Sequence, residues 1–130
     1  KFSWSQKYIR SVAPYCAAIK ANIQYWKDQW NMDELETLTQ IAYDEDLLFI
    51  DDSKLADIGS TNEAGIYYTQ KKHIDAVTLA CFDGNREEAA RQCKKYDVGG
   101  IHMCMMSILN IPKKRISLSR LLKNKRANMN

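Results

Sequence analysis

Turn formers are scarce in this chain: five glycines and two prolines punctuate 130 residues. A strand-rich sandwich needs a turn roughly every 8–12 residues. Long helices with short connections need far fewer breaks, so the expected fold class is all-α. A chain of this length is expected to form one domain over residues 1–130, large enough to bury a core without staples. It contains no uninterrupted apolar run of about 18 residues, so no membrane-crossing helix is expected.

Apolar spacing gives the expected elements. Cys16, Ile19, Ile23, Trp26 and Trp30 recur at alternating steps of three and four, which predicts a helix over 15–30 with Pro14 near its start. Asn31 can cap a second helix over 32–50, with Leu35, Leu38, Ile41 and Leu48 inside. Asp33, Glu34 and Glu36 suit the positive end of its dipole. Gly59 breaks the chain, and Ser60 with Glu63 has capping-box spacing for a third helix over 61–82. Asp83-Gly84 stops it, and Asn85 with Glu88 starts a fourth that runs to Tyr96. Ile101 to Leu109 reads as a short buried helix, and Ser117 or Ser119 could cap a last basic one to Arg126. The sum is a bundle of about five antiparallel helices.

Charge is laid out in blocks. Residues 1–27 hold five Lys/Arg and no carboxylate, and residues 28–57 hold ten carboxylates against Lys54 alone. Residues 58–97 balance six of each sign, and residues 98–130 hold seven Lys/Arg and no carboxylate. The net +3 therefore hides a strongly dipolar chain. Such a layout favours action through charged surfaces over action in a catalytic pocket. In the basic C-terminal segment, residues 112–130, Lys113, Lys114, Arg115, Arg120, Lys123, Lys125 and Arg126 interleave with Leu118, Leu121 and Leu122. That pattern suits an anionic membrane surface or an acidic partner, with nucleic acid the weakest of the three. Its bland reading is a solvated face whose leucines close the core. Asp44, Glu45, Asp46, Asp51 and Asp52 form a candidate acidic docking face, which could equally be a solvated helix face.

Catalytic chemistry is not visible at this level. His73 sits among Lys71, Lys72 and Asp75 and reads as a surface residue. His102 and Cys104 are two apart, which on a helix turns them away from each other. The acidic run lacks the spacing and central glycine of a calcium loop, and Gly99-Gly100 without a strand is no phosphate loop. No Cys-x-x-Cys occurs, which argues against a zinc ribbon. Catalytic residues, metal ligands and cofactors are accordingly expected to be none. Cys16, Cys81, Cys93 and Cys104 allow two disulfides but also fit as buried thiols.

The order of several landmarks resembles the abalone sperm acrosomal proteins, sperm lysin and its fusagenic 18-kilodalton paralogue. The landmarks are Trp4, Ala18-Ile19-Lys20 leading to Ile23, Thr37-Leu38-Thr39, Leu47-Leu48-Phe49-Ile50, Lys71-Lys72-His73-Ile74-Asp75-Ala76, Lys94-Lys95-Tyr96-Asp97 and Ile111-Pro112-Lys113. The resemblance implies a helical bundle without enzymatic activity, secreted from the sperm acrosomal vesicle. A chain beginning at Lys1 suits a mature secreted protein, or a trimmed one. Asp44, Glu45, Asp46, Asp51, Asp52 and the four cysteines depart from lysin and place the chain nearer the paralogue. The implied function is sperm–egg membrane fusion, with lysin-like binding of egg-envelope glycoprotein or an unrelated helical inhibitor module as alternatives. The implied partners are the egg membrane or its envelope glycoprotein, with the oligomeric state open and a dimer one option.

Overall fold

Helix and strand alternate along the chain. In the computed structural model, which describes residues 1–25, 32–81 and 84–104, helix α1 covers Phe2–Val12 and strand β1 Ala18–Ala21. Helix α2 (Met32–Asp44), strand β2 (Leu48–Leu55), helix α3 (Gly59–Lys71), strand β3 (Ala76–Leu79), helix α4 (Arg86–Lys95) and strand β4 (Gly99–His102) follow. The four strands form one parallel sheet in the order β1-β2-β3-β4. A parallel pair needs a crossover, and a helix supplies each of the three.

The expectation of an all-α bundle is therefore overturned: the fold is α/β. Three of the expected helices had absorbed a strand. The helix expected over 15–30 is a 3₁₀ turn at Ala13–Tyr15, β1, and a second 3₁₀ turn at Ile23–Tyr25. That over 32–50 is α2 running into β2, and that over 61–82 is α3 running into β3. The expected helix beginning at Ile101 begins instead inside β4. Short parallel strands are covered on their faces and read as continuous apolar runs. Runs such as Leu47-Leu48-Phe49-Ile50 extend a neighbouring helix stripe without a visible break. The last basic helix lies outside the described residues.

The boundaries that periodicity hid are made by one turn used three times. Helices α2, α3 and α4 are each followed by a residue in the left-handed region, Asp46 (φ 58°), His73 (φ 53°) and Asp97 (φ 54°). The next residue then donates its amide back into the helix: Leu47 to the Ala42 carbonyl at 2.8 Å, Ile74 to Thr69 at 3.2 Å, and Val98 to Cys93 at 3.0 Å. These are Schellman closures, which require a left-handed residue and favour an apolar one after it. Leu47, Ile74 and Val98 are all buried. Each turn therefore stops a helix and drives the first residue of the return into the core.

The helices cover one face of the sheet. Ile9 of α1 and Leu35, Leu38, Ile41 and Ala42 of α2 pack with Leu47, Phe49 and Ile74, with Ile19 and Ala21 of β1 beside them. Ile66 of α3 and Ala89 and Cys93 of α4 pack with Val77, Leu79 and Val98. Helix α3 approaches β2 so closely that a Cβ on Gly65 would lie 2.9 Å from the Leu55 side chain. Asp75 ties the entry of the strands: its carboxylate accepts the Phe49 amide at 2.7 Å, and its carbonyl accepts the Gly99 amide at 2.7 Å.

The alternation of strand side chains then fixes what the opposite face carries. With Ile19, Ala21, Phe49, Leu55, Val77 and Leu79 turned toward the helices, Lys20, Ile50, Asp52, Lys54 and Thr78 belong to the other side. Four of those five are polar or charged.

The expected capping box of α3 does not form. The helix begins at Gly59 with no side-chain cap, and Glu63 instead accepts from Lys95 at 2.6 Å and from the Tyr96 hydroxyl at 2.9 Å. Among the described residues the four cysteines form no disulfide, and no helix is long and apolar enough to cross a membrane.

Candidate active site

Strand β2 does not pair evenly with β3. Ile50 and Asp51 match Ala76 and Val77, but Leu55 matches Leu79, so extra chain on β2 is bulged out between Asp51 and Leu55. Bulges re-aim side chains and raise local twist. Here the bulge contains Lys54 with φ 53°, a left-handed conformation that costs a residue with a Cβ about 1–2 kcal/mol. The local sequence Asp52-Ser53-Lys54 thus brings a carboxylate and an ammonium from alternate positions to one place.

Asp52 is the centre of the cluster. One carboxylate oxygen, Oδ1, accepts from Lys54 Nζ at 2.8 Å and from the Thr78 hydroxyl at 3.0 Å. The other, Oδ2, accepts from Lys20 Nζ of β1. The Asp52 side chain is 7% exposed, whereas Lys20 is about half exposed and Lys54 about one-third. Burial alone would raise the Asp52 pKa. The hydrogen bonds from Lys20, Lys54 and Thr78, together with the charge of Lys20, outweigh it and hold the carboxyl down at about 2. The group is therefore an anion throughout the physiological range, with two cations fixed around it.

Asp51 points the other way and behaves oppositely. It is 5% exposed and accepts from the Ser53 hydroxyl. Burial pushes its carboxyl up, the Ser53 bond pulls against that, and the neighbouring Asp52 charge adds to the rise. Beyond β2, Asn62 holds the loop into α3 from both sides. Its side chain accepts the Asp57 amide at 3.0 Å and donates to the Asp57 carbonyl at 2.7 Å.

A pH effect on stability follows from Asp52. Its folded pKa of about 2 lies below the unfolded value of about 3.9. The associated stabilisation is complete above about pH 4 and lost as the pH falls through about 2, a change of about 2 kcal/mol. Asp51, with a raised pKa, gains on acidification and blunts the loss. Urea unfolding at pH 5 and pH 2 is expected to show the Asp52 component in the natural chain and not in Asp52→Asn.

The sequence-predicted residues fall in three groups. Lys113, Lys114, Arg115, Leu118, Arg120, Leu121, Leu122, Lys123, Lys125 and Arg126 lie outside the described residues. Asp44, Glu45 and Asp46 lie at the end of α2 and in the turn after it, with Glu45 3.8 Å from Arg10 of α1. Asp51 and Asp52 are buried in β2 and do not join them. The residues missed are Lys20, Lys54 and Thr78. One signal was present: Lys54 is the lone cation of residues 28–57 and stands two positions from Asp52.

A four-stranded parallel sheet with helices on one face and a charged cluster on the other has the layering of a βα-barrel wall, in which reactive groups gather toward the strand C-termini. The family model for the orotidine 5′-phosphate decarboxylase / HUMPS family matches residues 5–116. The chain belongs to that family. Solved structures agree in fold. A Toxoplasma gondii protein assigned as an orotidine-monophosphate decarboxylase superposes with a TM-score of 0.71 at 23% identity, covering 83% of this chain and 37% of that one. The orotidine 5′-monophosphate decarboxylase of Methanocaldococcus jannaschii, solved with the inhibitor BMP, gives 0.65 at 21%, covering 78% and 46%. The UMP synthase of Leishmania donovani gives 0.67 at 18%, covering 83% and 24%. The chain thus spans less than half the length of these three. No curated protein matches it significantly.

Family membership overturns several expectations. The resemblance to the sperm acrosomal proteins rested on scattered landmarks in assumed helices, and several of those landmarks are strands here. Egg-surface membrane fusion, fertilization and a non-enzymatic role give way to the orotidine 5′-phosphate decarboxylase / HUMPS family, whose solved structural neighbours are enzymes. The egg membrane and envelope glycoprotein fall as partners with it, since the relatives are named for a nucleotide.

Proposed function

We propose that this chain carries the reaction centre of an orotidine 5′-phosphate decarboxylase, an enzyme of pyrimidine biosynthesis that removes a carboxylate from a nucleotide base. The observation that carries the reading is the cluster of Lys20, Asp52 and Lys54 on the strand face opposite the helices, within a chain of this family.

The chemistry suits the cluster. Breaking the bond between a ring carbon and its carboxylate releases carbon dioxide and leaves the electron pair on carbon. That carbon needs a cation beside it and then a proton. An ammonium fixed by a buried anion supplies both without reorganising. Lys54 is the group for this role: its left-handed backbone and its ion pair with Asp52 fix where Nζ sits. The proton leaves Nζ for the ring carbon, and the neutral amine recovers one from water. Asp52 stays ionised in the process, because three donors hold its pKa at about 2. A substrate carboxylate seated next to it is repelled, and that repulsion is relieved as carbon dioxide departs. Lys20, on the other side of Asp52, is free to turn toward substrate oxygen atoms because about half of its side chain faces solvent.

The direct test is turnover. The intact protein is expected to convert orotidine 5′-phosphate to the decarboxylated nucleotide with one carbon dioxide per product. BMP, which the M. jannaschii enzyme binds, is expected to inhibit it and to shift the side-chain NMR signals of Lys20 and Lys54. Absence of both turnover and BMP binding would overturn the reading.

A further inference from the structure

We propose that Thr78 is a positioning residue of this site, its single hydroxyl setting both the orientation of the Asp52 carboxylate and the backbone of Lys54. What the positioning serves rests on the decarboxylase reading; the contacts themselves do not.

A hydroxyl has one proton to give and lone pairs to receive. Thr78 Oγ1 gives its proton to Asp52 Oδ1 at 3.0 Å and receives the Lys54 amide proton at 2.9 Å. Both contacts cross from β3 to the bulge of β2. There the register breaks between Asp51 and Leu55, and the threonine side chain takes the Lys54 amide. Thr78 is itself buried, at 5% exposure, so water is poorly placed to replace it. The Lys54 Nζ then returns to the same Oδ1 at 2.8 Å. One oxygen atom is therefore held by an ammonium and a hydroxyl whose owners are also joined through the Lys54 amide. This closed arrangement explains how a lysine in a strained conformation is kept in one place. The charged groups around it are Lys20 and Lys54 on the Asp52 oxygens, with Asp51 behind.

Thr78→Val keeps the shape and removes the hydroxyl, and Thr78→Ser keeps the hydroxyl. With Val, kcat is expected to fall about 10- to 100-fold with little change in KM, as for a group misplaced by a fraction of an ångström. Ser is expected to restore kcat to within about threefold. The Asp52 carboxylate signal, followed by NMR in the unliganded chain, is expected to titrate at higher pH in the Val variant and to return in the Ser variant. Circular dichroism and melting curves check that both variants are folded. An Asp52 titration unchanged in Thr78→Val, or a Ser variant as impaired as Val, would overturn the proposal. A natural protein inactive on the nucleotide would instead count against the decarboxylase reading. The titration would still decide the role of Thr78.

Discussion

Lys54→Ala is expected to slow decarboxylation by about ten-thousandfold while leaving a folded protein. The size follows from removing the proton donor and the nearest cation together, each of which contributes a factor of about 10² or more to such reactions. Folding is expected to survive because Asp52 keeps Lys20 and Thr78 as partners. The left-handed backbone makes the test sharper. Glycine adopts φ 53° without the Cβ penalty, so Lys54→Gly is expected to be about 1 kcal/mol more stable than Lys54→Ala and just as inactive. Urea unfolding of both variants beside single-turnover rates separates the effects. If Lys54→Ala retained more than about a tenth of the rate, the proton would have to come from elsewhere.

The largest expected loss of stability is at Phe49. Its side chain is 2% exposed and packs among Ile9, Leu38, Leu47 and Ile74, joining α1, α2 and β2. Phe49→Ala removes that packing and leaves a cavity, at a cost of about 3–5 kcal/mol. That is a large share of the roughly 5–15 kcal/mol that holds a typical domain. Phe49→Leu refills much of the space and is expected to cost about a third as much. Chemical denaturation at pH 7 measures both. Asp52 lies three residues further along the same strand, so residual activity of Phe49→Ala reports whether loosened packing reaches the site.

Part of this architecture was legible in the amino-acid sequence. Helix α4 was, because Asp83-Gly84 and Asn85 mark its start, Gly99-Gly100 follows its end, and its charged face leaves no competing reading. The core of α2 was also visible, since Leu35, Leu38 and Ile41 keep helical spacing. The strands were not. Four residues such as Ala76-Val77-Thr78-Leu79 are too short to establish a period of two, and they continue the apolar stripe of the helix before them. The stop signals at Asp46, His73 and Asp97 were disguised, because left-handed turns more often carry Gly or Asn. The recurring pair of polar turn residue and buried aliphatic, Asp46-Leu47, His73-Ile74 and Asp97-Val98, marks the repeat once its role is known. The site was hidden for a different reason. Lys20, Asp52 and Thr78 lie 26 to 58 residues apart and meet only because three strands are adjacent. Asp51 and Asp52 read as part of a surface acid block because nothing local announces their burial.

The order of strands in the sheet is also the order in which a ribosome makes them. Each new strand docks beside the one completed before it, after a helix whose end is closed by contacts within a few residues. A nascent chain can therefore lay down these four described strands one unit at a time, with each edge strand serving as template for the next. The ion pair of Asp52 with Lys20 reaches across units, as do those of Arg10 with Glu45 and Lys95 with Glu63, and Asp52 gains its last partner when Thr78 has emerged with β3. The charged cluster is assembled late, on a scaffold that is already built.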